Sequence, residues 1–150
     1  MAKDIRHTLF FSHPPEIVWE YLTTAELMAQ WLMPNDFLPI VGHDFQFRSK
    51  PKIEIGFDGI SYCKVLEVLP FKKLSYSWKA GPGNGRITLD SIVVWTLSPK
   101  DDGTELSLVH SGFKEVENMV IYPLMNDGWL IHMKRIAELI NAAKHGAAKA

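Results

Sequence analysis

The chain has a single cysteine, Cys63, so it can form no internal disulfide, and one thiol supplies no zinc motif. A reducing cytoplasm is the simplest compartment for such a sequence. Charge of one sign is also lacking, with 16 Lys and Arg against 17 Asp and Glu and a formal net charge of -1. Phosphate backbones are gripped through a basic excess or stripe, so a nucleic-acid partner is disfavoured. No apolar run approaches the roughly 20 residues a membrane-crossing helix needs, and the opening MAKDIRHT lacks the apolar core of a secretory signal. No membrane partner is expected. The histidines, at 7, 13, 43, 110, 132 and 145, show no metal-ligand spacing. The loop Gly81 to Gly85, GPGNG, lacks the Gly-Lys-Ser/Thr ending of a phosphate loop, and no Ser-His-Asp set or carboxylate pair can be picked out. No catalytic residue, metal site or cofactor is assigned.

What is present is a domain-sized chain, 47% hydrophobic, which suits one core spanning 1–150. Ile5 to Ser12 reads as a strand. Pro15 then fits the first position of a helix, with Glu16 at the positive end of its dipole and Ile17, Val18, Tyr21 and Leu22 on one face. Thr23 and Glu26 match a capping box for a second helix that carries Leu27, Met28, Trp31 and Leu32 inward and stops at Pro34. Neither helix is long enough to be stable alone, so both must pack on a sheet.

Strand signals follow the turn-rich NDFLPIVGHD. Phe45 to Arg48 alternates, Ile53 to Phe57 is a candidate partner for it, and Ser61 to Val68 runs from an Asp58-Gly59 turn to Pro70. Lys73 to Lys79 is the cleanest period-two segment, with Leu74, Tyr76 and Trp78 on one face and Ser77 on the other. Ile87 to Leu97 and Thr104 to Ser111 flank the turn Asp101-Asp102-Gly103. Beyond Gly112 the period becomes helical: Trp129, Met133, Ile136 and Ile140 share a face, opposite a solvated face with His132, Arg135 and Glu138. Pro123 should start or kink that helix, and the tail from Gly146 should fray. This order of elements is α+β, with helices on one face of an antiparallel sheet.

The runs Pro15-Glu16-Ile17-Val18-Trp19, Trp31-Leu32-x-Pro34, Val65-Leu66-Glu67-Val68, Leu74-x-Tyr76-x-Trp78, Gly103-Thr104-x-Leu106, His110-Ser111-Gly112-Phe113 and Gly128-Trp129 occur in this order. Together they resemble the SRPBCC (START/Bet v-like) superfamily, and within it the family homologous to the activator of the heat-shock-protein ATPase, over about residues 5–143. The resemblance implies a helix-grip fold. In it a curved antiparallel sheet wraps a long C-terminal helix, two short helices follow strand 1, and a cavity lies between sheet and helix.

Candidate ligand-binding residues on the concave surface are Trp31, Leu32, Phe45, Phe47 and Tyr62, then Tyr76, Trp78 and Trp95, then His110, Phe113, Trp129 and Met133. Apolar walls with a few polar groups are what small-ligand sites look like, although such rings serve equally as core filling. His110 shares parity with Leu106 and Leu108 and should point inward, as a pocket group or as a hydrogen-bonded structural histidine. Glu67 is expected outward, and Cys63 inert.

The leading function is therefore a non-catalytic domain that binds an apolar small molecule. A polyketide cyclase or aromatase-like enzyme is the alternative, marked by an inward cluster of His110, Tyr76 and a carboxylate. A chaperone-contacting interaction module is a third. A homodimer through an edge strand, with Trp19 or Trp95 at the contact, is a further expectation.

Overall fold

The computed structural model describes residues 2–114 and 117–149, and side chains within 3–114 and 117–143. Six strands form one antiparallel sheet: β1 (Ala2–Phe11), β2 (Asp44–Arg48), β3 (Ile60–Leu69), β4 (Lys73–Ala80), β5 (Leu89–Lys100) and β6 (Gly103–Lys114). Their order is β1-β6-β5-β4-β3-β2, so every strand from β2 to β6 neighbours the next along the chain, and β1 closes the far edge against β6. Helices α1 (Pro15–Thr23) and α2 (Ala25–Trp31) follow β1, and α3 (Ile121–Lys149) ends the chain. This is the α+β helix-grip arrangement, with the long C-terminal helix held by the sheet.

Alternation explains the core. On β4 Leu74, Tyr76, Trp78 and Ala80 are buried, on β5 Val93, Trp95 and Leu97, and on β6 Leu106, Leu108 and His110. Helix α3 lays Trp129, Met133, Ile136 and Ile140 onto that surface, all 2% exposed or less. Polar ties fix its position over β1. His7 Nε2 donates to the Asn126 carbonyl at 2.8 Å, the Tyr122 hydroxyl to the Asp4 carbonyl at 2.7 Å, and His13 Nε2 to Asn141 Oδ1 at 2.7 Å.

Two bulges re-aim side chains. Between Lys3 and Asp4 the β1–β6 register slips, leaving Gly112 as the extra residue at φ 110°, and Phe113 thereby turns inward three positions after His110. A Cβ at Gly112 would stand 2.9 Å from the Asp90 carbonyl oxygen, so the turn needs glycine. Between Val65 and Glu67 the β3–β4 register slips in the same way, which leaves Leu66 exposed and sets Glu67 opposite Ser75, its carboxylate 3.0 Å from Lys73 Nζ.

Several sequence expectations are corrected. No capping box forms: Thr23 closes α1, its hydroxyl donating to the Trp19 carbonyl, and Thr24 is the N-cap of α2 without a side-chain bond. Ile53 to Phe57 is no regular strand; Ile53–Ile55 is a 3-10 turn closed by paired backbone bonds between Lys52 and Phe57. The turn-rich segment after Pro34 also reaches the core, which sequence reading did not assign: Phe37 is 2% exposed and packs edge-on against Phe45 at 5.1 Å. Pro123 sits in the first turn of α3, where its missing N–H has no intrahelical partner to lose. That helix continues past Gly146 to Lys149; Ala150 lies outside the described residues.

Candidate functional site

Three indoles, an imidazole and a phenol meet between the sheet and α3, and each polar atom there has a defined partner. Trp129 Nε1–H donates to His110 Nδ1 at 2.9 Å. An indole N–H can only donate, so His110 Nδ1 accepts and the ring proton sits on Nε2. That proton is donated to Ser91 Oγ at 2.7 Å, and Ser91 donates its own to the Trp78 carbonyl at 2.8 Å. Burial holds His110 far below the usual imidazole range, at about 3, so the ring is neutral. Alongside, Trp95 Nε1 donates to the Tyr76 hydroxyl at 2.9 Å and Trp31 Nε1 to the Tyr21 carbonyl at 2.8 Å. Burial pushes the Tyr76 phenol well above its ordinary value.

The Ser91–His110 pair is thus not a nucleophile with its base. A base needs a bare nitrogen facing the serine, whereas here the nitrogen facing Ser91 carries the proton. No carboxylate belongs to the group: the inward cluster of His110, Tyr76 and a carboxylate expected of a cyclase is not assembled among the described residues.

Beside this packed centre lies an open cavity of about 430 Å³, within the size range of small-ligand sites. Helix α3 supplies one wall with Ile121, Leu124, Met125, Gly128, Trp129 and His132, and Leu32 and Met33 after α2 continue it. The sheet contributes Trp78, Ala80 and Ser61, and the connection between β2 and β3 closes the other side with Ser49, Lys52, Ile55 and Phe57. A second hollow, of about 510 Å³, is larger but lies where Asp44, Arg48, Lys64 and Lys79 ring the outer side of β2 to β4. Its charged wall offers an apolar molecule little, so the first cavity is the candidate site.

Of the residues singled out from sequence, Leu32, Trp78 and Trp129 line this cavity. Trp31, Phe45, Phe47, Tyr76, Trp95, Phe113 and Met133 do not; they are core, each 2% exposed or less. Edge-to-face contacts explain why these rings close on one another: Trp31 on Trp95 at 5.9 Å, Trp95 on Trp129 at 5.6 Å and Phe45 on Tyr76 at 5.3 Å. His110 is held in the core by Trp129 and Ser91. Tyr62 belongs to the opposite sheet face from Ser61 and Cys63, and its hydroxyl donates to Asp58 Oδ2 at 3.0 Å.

His132 is corrected in the other direction. It is half-buried in the cavity wall, lowered from its usual pKa by burial, while donation to the Trp31 carbonyl partly restores it. Arg135 does face solvent, 3.4 Å from Glu138. Trp19 packs edge-on against Phe71 at 6.2 Å and Trp95 is fully buried, so neither ring is free for a dimer contact. No helix among the described residues is long and apolar enough to cross a membrane.

Sequence reasoning missed Gly128, Ser61 and the β2–β3 connection. Ser61 shares parity with Cys63 and Val65, a signal that was there to read. Gly128 gives none, because only the position of α3 makes the space before its Cα open, with nothing within 4 Å of an added Cβ.

The comparisons with known proteins agree with this architecture. A family model described as Activator of Hsp90 ATPase homolog 1-like protein matches residues 12–141. The chain belongs to that family. Among solved structures the chain is similar to protein MLL2253 from Mesorhizobium loti, 33% identical at TM-score 0.82, covering 93% of this chain and 98% of that one. Protein BH1534 from Bacillus halodurans is 29% identical at TM-score 0.72, covering 91% and 95%. The Aha1 dimer of Colwellia psychrerythraea, 20% identical at TM-score 0.72 over 91% and 94%, shares the fold. No curated protein matches the chain.

Proposed function

We propose that this family member is a non-catalytic binding domain that takes up a small apolar molecule in the cavity between α3 and the β2–β3 connection. One observation carries the reading: a roughly 430 Å³ opening between α3 and the β2–β3 connection, walled mainly by apolar side chains. Folding buries apolar surface wherever it can, so a hollow faced by Leu32, Phe57, Trp78, Met125 and Trp129 marks a place where a ligand completes the packing. Met33 and Met125 are unbranched and adapt their shape to what they touch. Binding rather than catalysis is favoured by His110, whose lone pair is taken by Trp129, and by Tyr76, whose oxygen accepts from Trp95.

Gly128→Phe supplies the test, since its ring enters open space and fills the cavity from the helix side. The uncharged fluorophore phenylnaphthylamine should brighten on the native protein and not on this variant, with unfolding still cooperative. Equal brightening on both proteins would place the apolar site elsewhere.

A further inference from the structure

The two sides of the cavity differ in chemistry. On the helix side Ile121, Leu124, Met125 and Trp129 are apolar; every side chain there that could bear a positive charge reduces to His132, which burial keeps neutral. On the hairpin side Ser49, Lys52 and Ser61 stand beside Ile55 and Phe57.

One hairpin carries all three. Phe47 faces Ser61 across the β2–β3 register, the Ser49 amide donates to the Gly59 carbonyl at 2.7 Å, and the Lys52 amide donates to the Phe57 carbonyl at 2.8 Å. The polar groups therefore follow one another from the sheet toward the hairpin tip.

Ser61 on β3 lines the opening and places a hydroxyl in that wall. Among the described residues no carboxylate lines the cavity and no acid pairs with Lys52. The wall thus offers hydroxyl and ammonium donors and a net positive charge, facing an apolar wall across the gap.

We infer that the ligand is an amphipathic monocarboxylate, its acid group on the Lys52 and Ser61 side and its hydrocarbon body against α3. An anion answers the hydroxyl and the ammonium charge together, whereas a neutral hydrocarbon of the same shape answers neither. A cationic amphiphile meets like charge at Lys52.

This inference rests on the cavity reading above, and matched probes separate the two. Decanoate, decanol and decylammonium share one chain and differ in the head group, and quenching of the wall indoles Trp78 and Trp129 follows each. Decanoate should bind about fivefold more tightly than decanol, the scale of one exposed ion pair, and decylammonium most weakly. Lys52→Gln should erase the preference for decanoate over decanol and leave decanol affinity unchanged. Ser61→Ala should weaken decanoate more than decanol.

Decanol binding as tightly as decanoate, with both lost in Gly128→Phe, overturns the acid-group assignment while the cavity site stands. A preference that survives Lys52→Gln also overturns it. Binding of both probes unaltered by Gly128→Phe removes the cavity site and the inference with it.

Discussion

The indole N–H of Trp129 on α3 donates to His110 Nδ1 on β6 at 2.9 Å, and this bond fixes which imidazole nitrogen carries the proton. Through Ser91 it also links the C-terminal helix to three strands, ending on the carbonyl of Trp78 in β4. A histidine that sequence parity offers as a pocket group is, in the fold, a bracket between helix and sheet.

His110→Leu should therefore be costly. It leaves the Trp129 N–H buried without an acceptor, a loss of about 1–3 kcal/mol, and changes the packed volume as well. Urea unfolding should show a midpoint shifted down by about 2 kcal/mol of stability or more. A change below about 0.5 kcal/mol would show that the bracket contributes little.

Acid should weaken the fold through the same ring. Its folded-state pKa is depressed to about 3, so below the ordinary value of 6.5 the unfolded chain takes a proton that the native ring refuses. His110 then contributes stability that is complete above 6.5 and lost as pH falls toward 3, at up to about 1.4 kcal/mol per pH unit. The lowered pKa of His132 acts in the same direction. Urea midpoints measured between these pH values should fall steeply in the native protein and more gently in His110→Leu.

Gly128→Ala should stabilise the protein. The position is inside α3, an added methyl meets nothing within 4 Å, and alanine exceeds glycine in helix preference by about 1 kcal/mol. Thermal unfolding should rise by a few degrees. A lowered midpoint would mean that the glycine serves the backbone itself and not the cavity.

Cys63 should be silent toward thiol reagents in the native state. It is 5% exposed, and burial pushes its thiol well above the usual range, so almost no thiolate exists at neutral pH. Ellman's reagent should react at the rate of unfolding in water and promptly in concentrated urea.

Much of the architecture is legible in the residues because alternation and helical spacing are local. Leu74, Tyr76 and Trp78 announce a half-buried strand, and Trp129, Met133, Ile136 and Ile140 a helix face, whatever lies opposite. The capping box at Thr23 and Glu26 misleads because the pattern does not say whether Thr23 begins one helix or ends another; its hydroxyl takes the Trp19 carbonyl instead. The bulge at Gly112 is equally hidden, since a register slip depends on β1, over a hundred residues earlier.

Parity and period, properties of neighbouring residues, settled which side chains point inward and so the α+β class, while the helix-grip arrangement followed from the resemblance of the ordered motifs. They do not divide inward residues into core and cavity. That division was made by the placement of α3 over the sheet, held by His7, His13, Tyr122 and the Trp129–His110 bond, and by the hairpin that carries Ser49, Lys52 and Ser61. Trp95 and Trp129 look alike as sequence; one is sealed and the other walls an opening, because a cavity is the space between elements distant along the chain.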